Sequence, residues 1–165
     1  MDKDNNYFIG IDVGSVSTDI ALLDRFGNLV DKVYLRTKGQ PVRVIKDGLI
    51  KIKEKFQDIN IIGAGTTGSG RDLAGVMIGA DVVKNEITTH AVAASKLVQD
   101  VKTVIEIGGQ DSKIIIIRDG IAVDFAMNSV CAAGTGSFLD QQASRLEIPI
   151  EDFGEYALKA ESPVR

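Results

Sequence analysis

The sequence predicts an α/β protein: a mixed sheet flanked by helices and built as two related halves. Three observations carry this. Short apolar runs bounded by turn residues alternate with longer stretches of helical period. The tetrapeptides Asp12-Val13-Gly14-Ser15 and Glu106-Ile107-Gly108-Gly109 overlay as acid, aliphatic, glycine and small residue, each leaving one apolar run and entering another. The 17 glycines cluster beside such runs rather than in a linker, which marks turns where backbone closely approaches a ligand.

In chain order, Tyr7–Val13 is a strand running into Gly14-Ser15, and Ser17–Asp24 and Leu29–Thr37 complete a meander around the Arg25-Phe26-Gly27-Asn28 turn. Pro41 suits the first turn of a helix reaching Phe56, with Val42, Ile45, Leu49, Ile52 and Phe56 on its apolar face. Lys51 to Lys55 read as its solvated side. A fourth strand, Ile59–Ala64, ends in the glycine cluster Gly63 to Gly70. Arg71–Ile78 is a short helix and Val82-Val83 a short strand. Ile87–Val98 is an alanine-rich helix with Ile87, Ala91, Ala94 and Val98 on one side, and it carries the only histidine, His90, as a packed or half-exposed residue.

The theme then repeats. A strand ends at Glu106 to Gly109, Ile114–Ile117 follows, and Ile121–Met127 is a third strand after an Arg-Asp-Gly turn. Thr135–Leu146 is helical, with Phe138, Leu139, Gln142 and Leu146 sharing a face, and Ile150–Ala160 is a last helix. The division is therefore residues 1–98 as a complete first half-domain and 99–165 as the start of a second. That second half has none of the first half's further strands, so the chain is expected to be a fragment of a longer protein.

A net charge of −4 argues against a nucleic-acid footprint. Nothing approaches the ~20 apolar residues of a membrane span, and the polar start MDKDNNYF is unlike a signal peptide. One cysteine cannot form an internal disulfide, so the compartment is reducing or the thiol has a role of its own, and with no span or signal peptide the protein reads as cytoplasmic.

The two tetrapeptides suggest a phosphate clamp, since backbone N–H groups reach a phosphate only where side chains are small. Asp12, at a strand end, is placed to hold Mg²⁺ through water, and Ser15 and Ser17 add hydroxyl donors. Glu106 is placed to orient an attacking water, because phosphoanhydride hydrolysis asks mainly for positioning and charge neutralisation. Gly63 to Gly68 also spells G-x-G-x-x-G with Glu86 downstream. The glycines continue to Gly70, too far for a dinucleotide helix start, so a tight turn is the better reading. Cys131 lies among small residues just before a helix, an end that favours a thiolate or an anionic cluster. A single cysteine cannot hold a four-cysteine cluster alone.

The segments IGIDVGSVSTDIAL, GAGTTGSGR, NEITTHA, EIGGQDSK and NSVCAAGTGSFLDQQASRLEIP together resemble the activators of 2-hydroxyacyl-CoA dehydratases. That ATPase family, of the BadF/BadG/BcrA/BcrD type, also includes the ATPase subunits of benzoyl-CoA reductase. The resemblance implies the actin-like ATPase fold, in which two RNase-H-like halves close on ATP. It implies a homodimer bridged by one [4Fe–4S] cluster with two cysteines from each chain, Cys131 matching the first. A second cysteine and a glycine-rich adenosine segment are expected beyond Arg165. Asp12 would serve Mg²⁺; Gly14, Ser15, Val16, Ser17, Gly108, Gly109, Gln110 and Lys113 would serve the ATP phosphates. Many relatives carry Asp where this chain has Glu106. ATP hydrolysis would change dimer geometry and send one low-potential electron to a dehydratase partner. The residues alone leave two other readings: an actin-like kinase for a small metabolite, and a nucleotide-responsive interaction module.

Overall fold

A computed structural model describes residues 5–128 and 135–162. The chain falls into two compact units, Met1–Val104 with Ile115–Phe125, and Ile105–Ile114 with Ala126–Arg165.

In the first unit, strands β1 (Asn6–Val13), β2 (Ser17–Asp24) and β3 (Leu29–Arg36) form an antiparallel meander. Asp24 caps its second turn, accepting from the backbone N–H groups of Phe26 and Asn28. Helix α1 (Pro41–Lys55) returns the chain, and β4 (Asn60–Thr67) lies parallel to β1. Helix α2 (Arg71–Ile78) leads to the two-residue β5 (Val82–Val83), giving the strand order β3-β2-β1-β4-β5. Strand β1 alternates strictly: Tyr7, Ile9, Ile11 and Val13 are buried, joining Ile20, Leu22, Ile45 and Ile52 in the core. The opposite face of β1 presents Gly10 and Asp12.

Helix α3 (Glu86–Leu97) starts on Asn85, whose side chain accepts from the Thr88 N–H. Strands β6 (Thr103–Ile107), β7 (Ser112–Arg118) and β8 (Ile121–Met127) follow as a three-stranded sheet, order β6-β7-β8. Ile115 and Ile117 form a small core with Ala91. The last helices are α4 (Gly136–Arg145) and α5 (Ile150–Leu158). No helix among the described residues is long and apolar enough to cross a membrane.

The element order follows the sequence reading, and four local details differ. Strand β4 does not stop at Ala64 but runs to Thr67. Gly63 and Gly65 pair with Phe8 and Gly10 of β1, and Gly65 also pairs with Val82 of β5. A strand laddered on both sides overrides the low strand propensity of glycine. The turn, and with it any close backbone approach, is confined to Gly68–Gly70. On α1, Val42 is 51 % exposed, while Val44 and Gly48 are buried. A Cβ on Gly48 would collide with Ile20, so the helix rotates its smallest residue onto the sheet. On α4 the buried residue is Ala143, whereas the expected Phe138, Leu139 and Leu146 are exposed. Val98, expected on the packed side of α3, is also exposed.

Candidate functional site

Strand β1 ends in a hairpin closed by the Gly14 N–H donating to the Ser17 carbonyl, 2.8 Å. Ser15 is exposed at its tip, and Val16 and Ser17 are half-buried. Asp12 stands opposite Asp19 of β2 and Thr67 of β4. The Ser17 hydroxyl donates to Asp19 at 3.1 Å. Burial pushes the Asp19 carboxyl above its ordinary range, and that hydrogen bond only partly opposes the rise. Asp12 borders a trough of about 860 Å³, floored by Gly10, Ala21 and Gly65, with Thr67 and Lys84 also lining it.

Two features shape this hairpin, the first unmarked in the sequence and the second part of the glycine cluster read there as a tight turn. Thr37, buried just after β3, donates its hydroxyl to the Gly14 carbonyl at 2.9 Å and its N–H to the Val16 carbonyl at 2.8 Å. The buried Thr18 hydroxyl lies 3.0 Å from that of Thr37. A hydroxyl has one proton to give, so the order is Thr18 to Thr37 to Gly14. The second feature is Gly68, at φ +86°, where a Cβ would run into the Asp12 carboxylate and the Val13 carbonyl. The Gly70 N–H and the Ser69 hydroxyl both donate to that Val13 carbonyl, at 2.8 and 3.3 Å. The Gly68–Gly70 turn thus braces the end of β1, and this is the role the structure gives the second glycine cluster.

The second hairpin closes with the same bond: the Gly108 N–H donates to the Asp111 carbonyl, 2.8 Å. Gln110 is exposed at its tip. Its anchor is the start of α4. The Gly136 N–H donates to Gly108 O at 2.9 Å, and the Ser137 N–H to Gly109 O at 3.0 Å. The Thr135 hydroxyl also donates to Gly109 O, at 3.0 Å. Thr135 is the N-cap of α4, yet its side chain does not cap its own helix; such a cap ordinarily contributes ~1 kcal/mol.

Beside this hairpin, Lys113 is only 5 % exposed. Its Nζ lies 2.7 Å from Asp111 Oδ1 and 3.0 Å from Glu106 Oε2. Burial alone would lower the ammonium, but the hydrogen bonds and charges of Asp111 and Glu106 outweigh it and leave Lys113 above its ordinary range. The sequence reading set Lys113 at the ATP phosphates; the structure sets it on the two carboxylates. A Cβ on Gly108 would press against both Glu106 Oε1 and Asp111 Oδ1 at 3.0 Å, so only glycine leaves these groups in place.

Cys131, expected as a cluster ligand, lies outside the described residues. Among the described residues no group of three or more His, Cys, Asp or Glu side chains is placed to hold a metal ion. Asp12 and Asp19, paired across β1 and β2, are the carboxylates lining the trough beside the first hairpin. His90, with Nδ1 2.8 Å from the Glu86 carbonyl, is a helix residue.

Residues 9–165 match the BadF/BadG/BcrA/BcrD ATPase family. The chain is 40 % identical to the (R)-2-hydroxyglutaryl-CoA dehydratase activating ATPase of Acidaminococcus fermentans, over 93 % of this chain and 59 % of that protein. It is 37 % identical to the activator of lactoyl-CoA dehydratase of Anaerotignum propionicum, over 90 % of this chain and 57 % of that protein. Among solved structures, component A of the A. fermentans dehydratase superposes with a TM-score of 0.80 at 35 % identity, covering 96 % of this chain and 61 % of that one. The Clostridium difficile activator of the 2-hydroxyisocaproyl-CoA dehydratase, with bound ADPNP, also reaches 0.80 at 29 % identity, covering 96 % and 59 %. These neighbours share the actin-like ATPase fold. The chain thus spans about three fifths of the length of the relatives it matches.

Proposed function

The chain belongs to the BadF/BadG/BcrA/BcrD ATPase family, and from that premise we propose that it is the nucleotide-handling part of an ATP-hydrolysing activator. Its partner is an enzyme of the 2-hydroxyacyl-CoA dehydratase or benzoyl-CoA reductase type, the chemistry named for its relatives. One observation carries the nucleotide reading: two hairpins of equal length, each following a strand-end acid, close with the same N–H-to-carbonyl bond.

In this reading Ser15, Val16 and Ser17 of the first hairpin, and Gly109 and Gln110 of the second, present backbone amides to the phosphates of ATP, while Gly14 and Gly108, whose own N–H groups close the hairpins, keep the approach free of side chains. Asp12 holds Mg²⁺ through water. Glu106 orients the attacking water, and Lys113 serves the phosphate side by holding that carboxylate in place with Asp111. The electron-transfer half would be a [4Fe–4S] cluster shared across a cytoplasmic homodimer, a group that would make a low-potential electron available to the partner. Cys131 provides one of the four thiolates such a cluster takes. That half rests on the sequence.

The test is made on anaerobically purified full-length protein by following ATP hydrolysis together with bound iron and sulfide. The wild type is expected to hydrolyse ATP and to carry iron and sulfide. Glu106→Gln keeps the iron and loses hydrolysis; Cys131→Ala loses the iron and keeps ATP binding. An iron content unchanged in Cys131→Ala removes the redox half, and absence of hydrolysis in the wild type removes the ATPase.

A further inference from the structure

We infer that two buried threonines, Thr37 and Thr135, are positioning residues that aim the amides of the two hairpins outward. The inference rests on the nucleotide reading proposed above and names residues that it does not include.

The argument starts from the peptide plane. In a trans peptide the C=O and the following N–H point in opposite directions. Whatever holds a hairpin carbonyl inward therefore turns the next N–H outward. In the first hairpin the Thr37 hydroxyl holds the Gly14 carbonyl at 2.9 Å, so the N–H of the exposed Ser15 faces away from the protein. In the second, the Thr135 hydroxyl holds the Gly109 carbonyl at 3.0 Å, so the N–H of the exposed Gln110 does the same. Both threonines are buried, at 3 % and 0 % exposure. Each serves a hairpin distant in sequence, 23 and 26 residues away.

Two details separate this from ordinary core satisfaction. Thr37 is itself supplied by Thr18, so its own proton is committed to Gly14. Thr135 occupies an N-cap position yet directs its hydroxyl away from its own helix and onto the loop. Two unrelated elements, the end of β3 and the start of α4, each deliver a threonine hydroxyl to a hairpin carbonyl, at the first position of one hairpin (Gly14) and the second of the other (Gly109).

The test compares Thr37→Val and Thr37→Ser in the full-length protein, by calorimetric binding of ATP–Mg²⁺ and of adenosine. Valine keeps the shape and removes the hydroxyl; serine restores it. Thr37→Val is expected to weaken ATP about tenfold, the size of a lost buried hydrogen bond, and to leave adenosine unchanged. Thr37→Ser is expected to return ATP affinity to within about twofold of wild type. Unchanged ATP affinity in Thr37→Val, an equal loss for adenosine, or no rescue by serine overturns the inference. If the wild type binds no ATP, the nucleotide reading fails instead, and hydrogen exchange then decides the positioning. Thr37→Val must speed exchange at Gly14, whose N–H closes the hairpin, while the amides of β1 stay protected, with serine restoring the wild-type rate. Exchange unaltered at that amide overturns it. Thr135→Val and Thr135→Ser, read at Gly108, repeat the comparison in the second hairpin.

Discussion

The two hairpins are alike in backbone and different in what holds them. Gly14-to-Ser17 is tied to the sheet that carries most of the buried core: Thr37 at the end of β3 grips it from one side, and the Gly68–Gly70 turn braces β1 from the other. Gly108-to-Asp111 is tied to the first residues of α4, a helix with one buried side chain, Ala143. It also carries a charged triad, Glu106, Lys113 and Asp111, where the first hairpin has the carboxylates Asp12 and Asp19 across a strand pair. Segments with few buried apolar contacts open at lower cost than core strands. The first hairpin is thus the fixed part, and the second is joined to an element less firmly held.

Glu106→Gln breaks the comparison most sharply. If Glu106 orients the attacking water, ATP turnover in the full-length protein falls about 10²-fold or more, while ATP affinity holds. Asp12→Asn, at the matching place in the first hairpin, is expected instead to weaken Mg²⁺-dependent nucleotide binding. Steady-state hydrolysis at varied Mg²⁺ separates the two, and identical profiles would erase the distinction between them.

Lys113→Met comes next. Removing one partner of a buried pair costs about 3–5 kcal/mol; here Asp111 is partly exposed, and solvent screening reduces the loss to about 2 kcal/mol, measured by urea unfolding. The pH dependence has a definite sign. A lysine raised above its unfolded value of about 10.5 contributes stability that is fully present below that pH and lost as pH climbs through the higher folded value. Wild type and Lys113→Met should therefore converge in stability at alkaline pH.

Gly68→Ala puts a methyl group against Asp12 and the Val13 carbonyl at a left-handed φ. About 1–3 kcal/mol of strain follows, seen as a lower Tm with a displaced first hairpin and an unaffected second one. The smallest effect belongs to Asp19→Asn. Burial raises the Asp19 carboxyl, so folding is favoured below its unfolded pKa and penalised as pH rises through the folded value. The substitution should raise Tm slightly at neutral pH, with the gain vanishing in acid.

These positions also show what a single sequence can convey. The hairpins were legible because an acid, an aliphatic and small residues sit within four adjacent positions, and a local motif needs no tertiary knowledge. Strand β1 was legible as an apolar run ending at a glycine, for the same reason. Thr37 and Thr135 were not, because each acts on a backbone group far away in sequence, and a lone threonine carries no mark of that partner; Gly68 was legible as part of a tight turn, but its contact with Asp12 and Val13 was not. The extent of β4 was misjudged since glycine propensity is local while the ladders from β1 and β5 are not. Helix faces erred where Gly48 and Ala143, small enough for close packing, displaced the larger side chains that periodicity favoured.

If each hairpin binds nucleotide as proposed, hydrogen exchange of the full-length protein with and without ADPNP–Mg²⁺ will register it at both. Protection should rise together at residues 12–18 and 106–112, with the same dependence on nucleotide concentration. Protection confined to one hairpin, or to neither while nucleotide is bound, would contradict it.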